Sequence, residues 1–117
     1  PLDGKLVAEF VEGMKRVAAG YQHTLYMTLN VETPTSLVAV INLLFDRGVA
    51  AEVVRAHECA DALYTFIRAN GLEVYRARSD MMDKIVANTP EYWQTVRSLK
   101  AVFDPANIIA PGRYNLP

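Results

Sequence analysis

Hydrophobic residues recur along the chain with two different spacings, and the change from one to the other predicts an order of elements. A helical spacing of three and four residues begins after Asp3, which can cap the helix, and ends at Gly20, which we expect to supply a left-handed stop. Side chains alternate over 21–31, and a run that is apolar on both faces covers 36–45. These two segments predict strands joined by a short turn.

The second half of the chain is predicted to be mainly helical. A short apolar strand is predicted over 72–76, and turns rich in Pro, Asn and Gly begin at Asp104. Thr89 and Pro90 mark a strong helix start, because Thr caps helices well and Pro suits the first helical position. The helices after the hairpin are predicted over 50–69, 79–86 and 90–103.

This order matches a ferredoxin-like βαββαβ unit without its first strand. The predicted fold class is therefore α+β, with a ferredoxin-like antiparallel sheet, helices on one face of it, and a helical C-terminal tail. In that unit the first strand lies between the third and the fourth, so a strand over 72–76 would have no partner. Because unpaired interior strands leave backbone groups without hydrogen bonds, we expect a strand upstream of Pro1, or a partner chain, to complete the sheet.

Composition excludes several classes of partner. The 12 Lys and Arg residues balance 13 Asp and Glu residues without a basic run, which argues against nucleic acid. The longest apolar stretch, over 37–45, is too short for a membrane span and contains Asn42. The single cysteine, Cys59, cannot form an intrachain disulfide, and no Cys/His cluster suggests a metal site. No signal peptide is visible, and the compartment is left open.

Three collinear segments resemble one known family. Residues 104–113 read Asp-Pro-Ala-Asn-Ile-Ile-Ala-Pro-Gly-Arg, residues 41–47 read Ile-Asn-Leu-Leu-Phe-Asp-Arg, and residues 71–76 read Gly-Leu-Glu-Val-Tyr-Arg. A Met-Asp-Lys-Ile run follows over 82–85. In order and spacing these segments resemble motifs of the vanillyl-alcohol oxidase and 4-cresol dehydrogenase family of FAD-linked oxidases. The resemblance covers about residues 20–113.

The resemblance implies a two-domain flavoprotein of which this chain is the C-terminal portion. Residues 1–76 would be part of the substrate-covering cap domain, and residues 77–117 a helical segment that returns toward the FAD domain. FAD would be bound mainly by residues upstream, and the chain alone would be inactive. The implied partners are the FAD-binding domain of the same protein and a phenolic substrate. A cytochrome c subunit and a second copy of the protein are further candidates.

The resemblance also implies a reaction, the transfer of a hydride from a 4-substituted phenol to FAD through a quinone methide. Such enzymes place a positive charge and a hydroxyl donor at the phenol oxygen, which lowers the phenol pKa. The family's Tyr-Arg pair in this role matches Tyr75 and Arg76. The competing interpretation is that Tyr75 packs in the core and Arg76 pairs with a surface carboxylate. Adjacent strand residues point to opposite faces, so both reach one oxygen only where the strand ends or twists.

Other candidate residues have simpler explanations beside the functional one. Tyr26 could line a substrate pocket or lie on a solvated strand face, and Asn42 is a pocket donor or a core amide. Arg113 could lie near the flavin or be an ordinary exposed Arg. His23, at a strand start, is expected to be exposed, and His57 is expected to lie in or near the core. Cys59, which has no basic neighbour in the sequence, is expected to be inert.

The sequence is also compatible with two alternative functions. FAD-linked oxidases of 2-hydroxy acids also end in an Asp-Pro…Pro-Gly run, but they need cationic side chains for a carboxylate. A stand-alone ferredoxin-like module that binds a ligand, or that dimerises through an open sheet edge, would also fit the order of elements.

Overall fold

The computed structural model of the chain describes residues 3–114, and the chain divides into two compact units. The first unit extends to Glu73 and the second begins at Val74. The elements in the described range are α1 Gly4–Gly20, β1 Leu25–Thr33, β2 Ser36–Leu43, α2 Ala50–Ala69, a 3₁₀ helix Ser79–Met81, α3 Met82–Ala87 and α4 Pro90–Phe103. The α+β class, with a two-stranded antiparallel sheet and four α-helices in this range, is confirmed.

Helix α1 begins as its sequence predicts and ends differently. The Asp3 carboxylate accepts hydrogen bonds from the backbone N–H groups of Lys5 at 2.9 Å and Leu6 at 3.2 Å, which caps the first turn. Gly20 was predicted to be the left-handed stop, but it is the last helical residue. The left-handed residue is Gln22, with φ of 59°. Residues 21–24 therefore form a turn and irregular backbone where the strand was predicted to start, and β1 begins at Leu25.

The two strands form an antiparallel hairpin in which one face is apolar. Leu25 pairs with Leu43, and Met27 pairs with Ile41, so these side chains lie on the same face. The turn between the strands is tied by a hydrogen bond of 2.6 Å between the hydroxyls of Thr33 and Ser36. The apolar face packs against the helices, which makes the hairpin half-covered rather than covered on both faces.

The core of the first unit lies between α1, α2 and this apolar face. Its buried residues are Met14, Ala18, Cys59 and Leu63, with Phe10, Val17, Tyr21, Leu25, Met27, Ile41, Leu43, Phe66 and Ile67 packed around them. The helices approach each other closely at Gly13, where an added Cβ would lie 2.3 Å from the ring of Phe66. Helices α1 and α2 thus cover one face of the sheet, as predicted, and α2 has the predicted bounds.

The strand predicted over 72–76 is not formed. Helix α2 is closed by Asn70, whose side chain donates to the Phe66 carbonyl at 2.8 Å, and by Gly71, whose φ is 72°. The chain then runs without regular structure and bends at Tyr75 and Arg76. A strand is stable only when its backbone groups find a partner strand, and the described residues offer none at this position.

The second unit is built around a small buried group next to α3 and α4. Ala77, Met81 and Met82 are its buried apolar residues. Helix α4 starts at Pro90 as predicted, although the side chain of the cap residue Thr89 makes no hydrogen bond to the first turn. Helix α4 has no buried residue. Its predicted apolar face is therefore only partly covered, with Trp93 and Val96 half-buried and Leu99 and Phe103 exposed.

The Asp104 carboxylate holds the turn that follows α4. It accepts hydrogen bonds from the backbone N–H groups of Ile108 at 3.0 Å and Ile109 at 2.9 Å. Lys100, one helical turn earlier, pairs with the same carboxylate and donates to the carbonyl of Ile109 at 2.8 Å. Asn107, with φ of 50°, closes the loop by donating to the Asp104 carbonyl. One charged group thus satisfies two backbone N–H groups of the turn and also pairs with Lys100.

These contacts give the Asp104 turn a specific acid sensitivity. The hydrogen bond from Lys100, followed by those from Ile109 and Ile108, lowers the pKa of Asp104 from 3.8 to about 2. Because the pKa is lower in the folded state, the ionised carboxylate stabilises the turn above about pH 4, and this stabilisation is lost as the pH falls toward about 2.

In an NMR titration, we therefore expect the amide shifts of Ile108 and Ile109 to change with a midpoint near pH 2. Asp104→Asn should abolish this titration and weaken the protection of both amides from hydrogen exchange, because a neutral amide oxygen cannot replace two charged acceptors. A midpoint near the ordinary value of 3.8 would contradict the network.

Candidate functional site

Tyr75 and Arg76 lie at an exposed bend near the start of the second unit. Tyr75 is 60% exposed, and Arg76 is exposed as well. The guanidinium carbon of Arg76 lies 5.8 Å from the centre of the Tyr75 ring, a distance at which a cation and an aromatic face attract each other. The interpretation in which Tyr75 packs in the core is therefore wrong for this part of the chain.

The bend removes the geometric difficulty of a strand. In a strand, the side chains of neighbouring residues point to opposite faces and cannot meet at one ligand atom. Here the backbone bends at both residues, and the two side chains come together instead. A guanidinium and an aromatic ring that carries a hydroxyl thus lie together at one exposed bend, and hydrogen-bond donors of both kinds can stabilise an oxyanion.

The backbone after this pair is firmly held. The N–H group of Ala77 donates to the hydroxyl of Tyr114 at 3.1 Å, and the Ala77 side chain is 3% exposed. Arg78 makes two hydrogen bonds of 2.9 Å to the carboxylate of Asp80. The contribution of Tyr114 could not be predicted from the sequence, because the residue lies 37 positions away from Ala77 and belongs to no local motif.

Tyr26 and Asn42 are direct cross-strand partners in the hairpin of the first unit. Both are on the face opposite to the core and both are exposed, Tyr26 to 51%. Directly opposed side chains in an antiparallel pair have Cβ atoms about 4.5–5.5 Å apart, so an aromatic and an amide side chain start next to each other on this face. Asn42 is therefore not a core amide, and a substrate-binding role for the pair stays a prediction.

Arg113 is exposed and follows a tight turn at the end of the described range. Gly112 has φ of 74°, and the N–H group of Arg113 donates to the carbonyl of Ala110 at 3.2 Å. A role for Arg113 toward the flavin stays a prediction. The sequence contains no Gly-rich phosphate loop between a strand and a helix, and binding of FAD mainly by residues upstream stays a prediction.

Two histidines are placed differently from expectation. His23 is buried rather than exposed, because the turn after α1 folds it inward, and its Nε2 atom has no hydrogen-bond partner among the described residues. His57 is exposed rather than in the core. Cys59 is buried, and desolvation raises the pKa of its thiol, which disfavours the reactive thiolate.

The structure also bears on metals and membranes within residues 3–114. No three His, Cys, Asp or Glu side chains in that range come together in a way that could hold a metal ion. None of the helices described there combines the length and the apolar character that crossing a membrane requires.

Comparisons with known proteins agree with the motifs. The family described as FAD linked oxidases, C-terminal domain, matches residues 5–114. The flavoprotein subunit of 4-cresol dehydrogenase (hydroxylating) from Pseudomonas putida is 30% identical over 92 residues, which are 78% of this chain and 18% of that protein. A 1'-carboxy-chondrochloren decarboxylase from Chondromyces crocatus is 33% identical over 76 residues, 65% of this chain and 14% of that protein. No solved structure gives a significant match.

The extent of these matches decides the family. The chain spans less than a fifth of the length of either relative, so the matches concern one part of a larger protein. Within this chain, the family pattern runs from the first turn of α1 to Tyr114, and it includes the bend at Tyr75 and Arg76 and the Asp104 turn. The resemblance drawn from the sequence motifs is thus confirmed, and the chain belongs to the family of C-terminal domains of FAD-linked oxidases.

Proposed function

We propose that this chain is the C-terminal part of a flavoprotein oxidoreductase that removes a hydride from the para-alkyl or benzylic carbon of a 4-substituted phenol, with FAD as the hydride acceptor. The observation that carries the proposal is the pairing of Arg76 and Tyr75 at one exposed bend. The kinship with a protein named as a 4-cresol dehydrogenase subunit supports the same substrate class.

The proposed role of the pair is to ionise the bound phenol. Free phenols ionise near pH 10, like the tyrosine side chain. A hydrogen bond to a charged group contributes on the order of 1.5–3 kcal/mol, and one pKa unit corresponds to about 1.4 kcal/mol. Arg76 and Tyr75 together would therefore lower the phenol pKa by about two or more units, toward neutral pH.

Ionisation prepares the substrate for the loss of the hydride. The negative charge on the phenol oxygen makes the ring electron-rich, so the carbon attached at the para position releases a hydride more easily. Loss of the phenolic proton and of the hydride leaves a para-quinone methide, to which water can add; a benzylic alcohol would give an aldehyde instead. Arg suits this site because its guanidinium stays charged and is less strongly hydrated than the ammonium of Lys.

A second candidate is a substrate that carries a carboxylate, such as a 2-hydroxy acid. The guanidinium of Arg76 matches a carboxylate as well as an oxyanion. One relative is named as a decarboxylase of a carboxylated compound, so the family includes proteins that differ in reaction. Turnover of lactate or glycolate in preference to para-alkylphenols would favour this candidate.

We also propose that the rest of the same protein covers an apolar patch at the end of the second unit. The patch consists of Leu99, Val102, Phe103, Ile108 and Ile109, all exposed, with Phe103 exposed to 82%. The first three residues share a face of α4, and the Asp104 turn presents the two isoleucines directly after it. Soluble proteins rarely leave large apolar patches uncovered. The FAD-binding domain is the expected occupant, because both relatives are more than five times longer than the segment they share with this chain.

The relative from Pseudomonas putida is named as a subunit. For this protein we propose a cytochrome c subunit as one partner, which would act as the electron acceptor. A second copy of the protein is the other proposed partner. Size-exclusion chromatography of the full-length protein with and without an added cytochrome c would test both, and a monomer that binds no cytochrome would remove them.

The role of Arg76 can be tested in the full-length flavoprotein. Arg76→Ala should lower the rate of flavin reduction by 4-cresol or vanillyl alcohol about 10- to 100-fold while flavin content is unchanged, because one charge-assisted hydrogen bond to the phenolate is lost. Arg97→Ala, an exposed arginine on α4, is the matched control and should react like the wild type. An unchanged rate in Arg76→Ala would remove this residue from the site.

The role of Tyr26 and Asn42 concerns binding rather than chemistry. Asn42→Leu, or Tyr26→Phe, should raise KM for the phenol about 3- to 10-fold with little change in kcat, as expected when a hydrogen bond present in both ground state and transition state is lost. Asn30→Leu, farther along the same exposed face of β1, is the control. Equal KM values in all three variants and in the wild type would show that this face is simply solvated.

The apolar patch predicts a difference between two exposed apolar positions. In the full-length protein, Phe103→Asp should lower stability by about 2 kcal/mol or more, because burying a Phe side chain contributes about 1.5–3 kcal/mol and a buried carboxylate is unfavourable. Val54→Asp, at an exposed position on α2, should change the melting temperature little. Equal effects would contradict the proposed contact, and a dimer that becomes a stable monomer with full FAD content would identify a second copy as the occupant.

A further inference from the structure

Tyr114 connects three separate segments of the second unit. Its hydroxyl accepts the hydrogen bond from the Ala77 N–H group at 3.1 Å, and its own N–H group contacts the sulfur of Met82 at 3.3 Å. Its ring stacks on Trp93 with 5.8 Å between ring centres and an angle of 17°. Tyr92 packs edge-on against Trp93, with 5.0 Å between the ring centres.

The backbone of Tyr114 is held in an unfavourable conformation. Its φ is 56°, in the left-handed region, which costs a residue with a side chain on the order of 1 kcal/mol. Such a conformation persists only where several contacts determine it together. Here the stacking of the ring on Trp93 and the contact between the Tyr114 N–H group and the Met82 sulfur hold the residue. In this position its hydroxyl reaches the N–H group of Ala77.

The hydrogen bond at Ala77 acts directly on Arg76. The N–H group of Ala77 belongs to the peptide bond that also contains the Arg76 carbonyl, so holding this N–H fixes the peptide plane next to the Arg76 Cα. The Ala77 side chain is also buried, at 3% exposure. Arg78 is clamped to Asp80 immediately afterwards. The backbone leading away from Arg76 is thus held at consecutive residues, while the Arg76 side chain lies exposed over Tyr75.

We propose that Tyr114 is a positioning residue, whose hydroxyl orients the Arg76–Ala77 peptide and thereby directs the guanidinium toward the substrate oxygen. This inference rests on the role proposed above for Arg76. Tyr114 itself contacts no reacting atom in this arrangement. Its effect is transmitted through the hydrogen bond to the Ala77 N–H group. The effect on the rate is large because a guanidinium that is misplaced by about 1 Å loses much of its contribution.

The test compares single and double variants of the full-length flavoprotein. Tyr114→Phe retains the stacked ring and removes only the acceptor for the Ala77 N–H group. We expect the rate of flavin reduction by 4-cresol to fall about 5- to 30-fold, the range that follows from the loss of one hydrogen bond and an unsatisfied N–H group. Tyr92→Phe removes the hydroxyl of an exposed neighbour in the same aromatic group and should react at the wild-type rate.

Coupling to Arg76 separates positioning from a merely structural role. If Tyr114 acts through Arg76, Tyr114→Phe should cause little further loss in the Arg76→Ala background, because the group that it positions is already absent. Equal fold losses in both backgrounds, or a wild-type rate in Tyr114→Phe, would overturn this inference alone. A wild-type rate in Arg76→Ala would overturn both this inference and the proposed function.

A readout independent of activity completes the test. Hydrogen exchange at the Ala77 amide should be slow in the wild type and at least tenfold faster in Tyr114→Phe, whereas the amides of Ile108 and Ile109 should keep their protection. Fast exchange at Ala77 in the wild type would show that the hydrogen bond does not hold the peptide, and would also overturn the inference.

Discussion

The carboxylate of Asp104 is the constraint on which the second unit depends. It lies at the C-cap of α4, pairs with Lys100 and satisfies two backbone N–H groups of the following turn. A neutral side chain could not do all of this, because the interactions require a charged acceptor with several lone pairs. From this turn the chain continues through Gly112 to Tyr114, whose hydroxyl meets the backbone beside Arg76. The motif of residues 104–113 is thus linked to Arg76, the residue proposed to bind the substrate oxygen, through Tyr114 and the Ala77 N–H group.

The sequence predicted the features that depend on local patterns. Helix α2 has the predicted bounds, α4 begins at Pro90, and the hairpin joins the two expected strands. Features that depend on distant partners were not predictable. The segment 72–76 has the composition of a strand but no neighbouring strand among the described residues, so it forms a bend instead. His23 is buried by the geometry of the turn after α1, which no pattern in the sequence encodes.

For the site, sequence reasoning identified residues, and the structure supplied their arrangement. The sequence motif predicts Tyr75 and Arg76 as a pair, although a strand would direct their side chains to opposite faces. The bend brings the cation over the ring. The contribution of Tyr114 is not predictable from the sequence, because it depends on a hydrogen bond to Ala77, which lies 37 positions away. The structure leaves four candidate residues exposed, namely Tyr75, Arg76, Tyr26 and Asn42.

The central proposal is electrostatic: the pair formed by Arg76 and Tyr75 would lower the pKa of a bound phenol. The most direct measurement is the ionisation of a meta-fluorinated phenol without a para-alkyl group, bound to the full-length flavoprotein and followed by fluorine NMR across a pH titration. The expected result is a pKa at least about one unit below that of the same phenol in water, as one charge-assisted hydrogen bond would produce. A bound phenol that ionises at the same pH as the free one would contradict the claim.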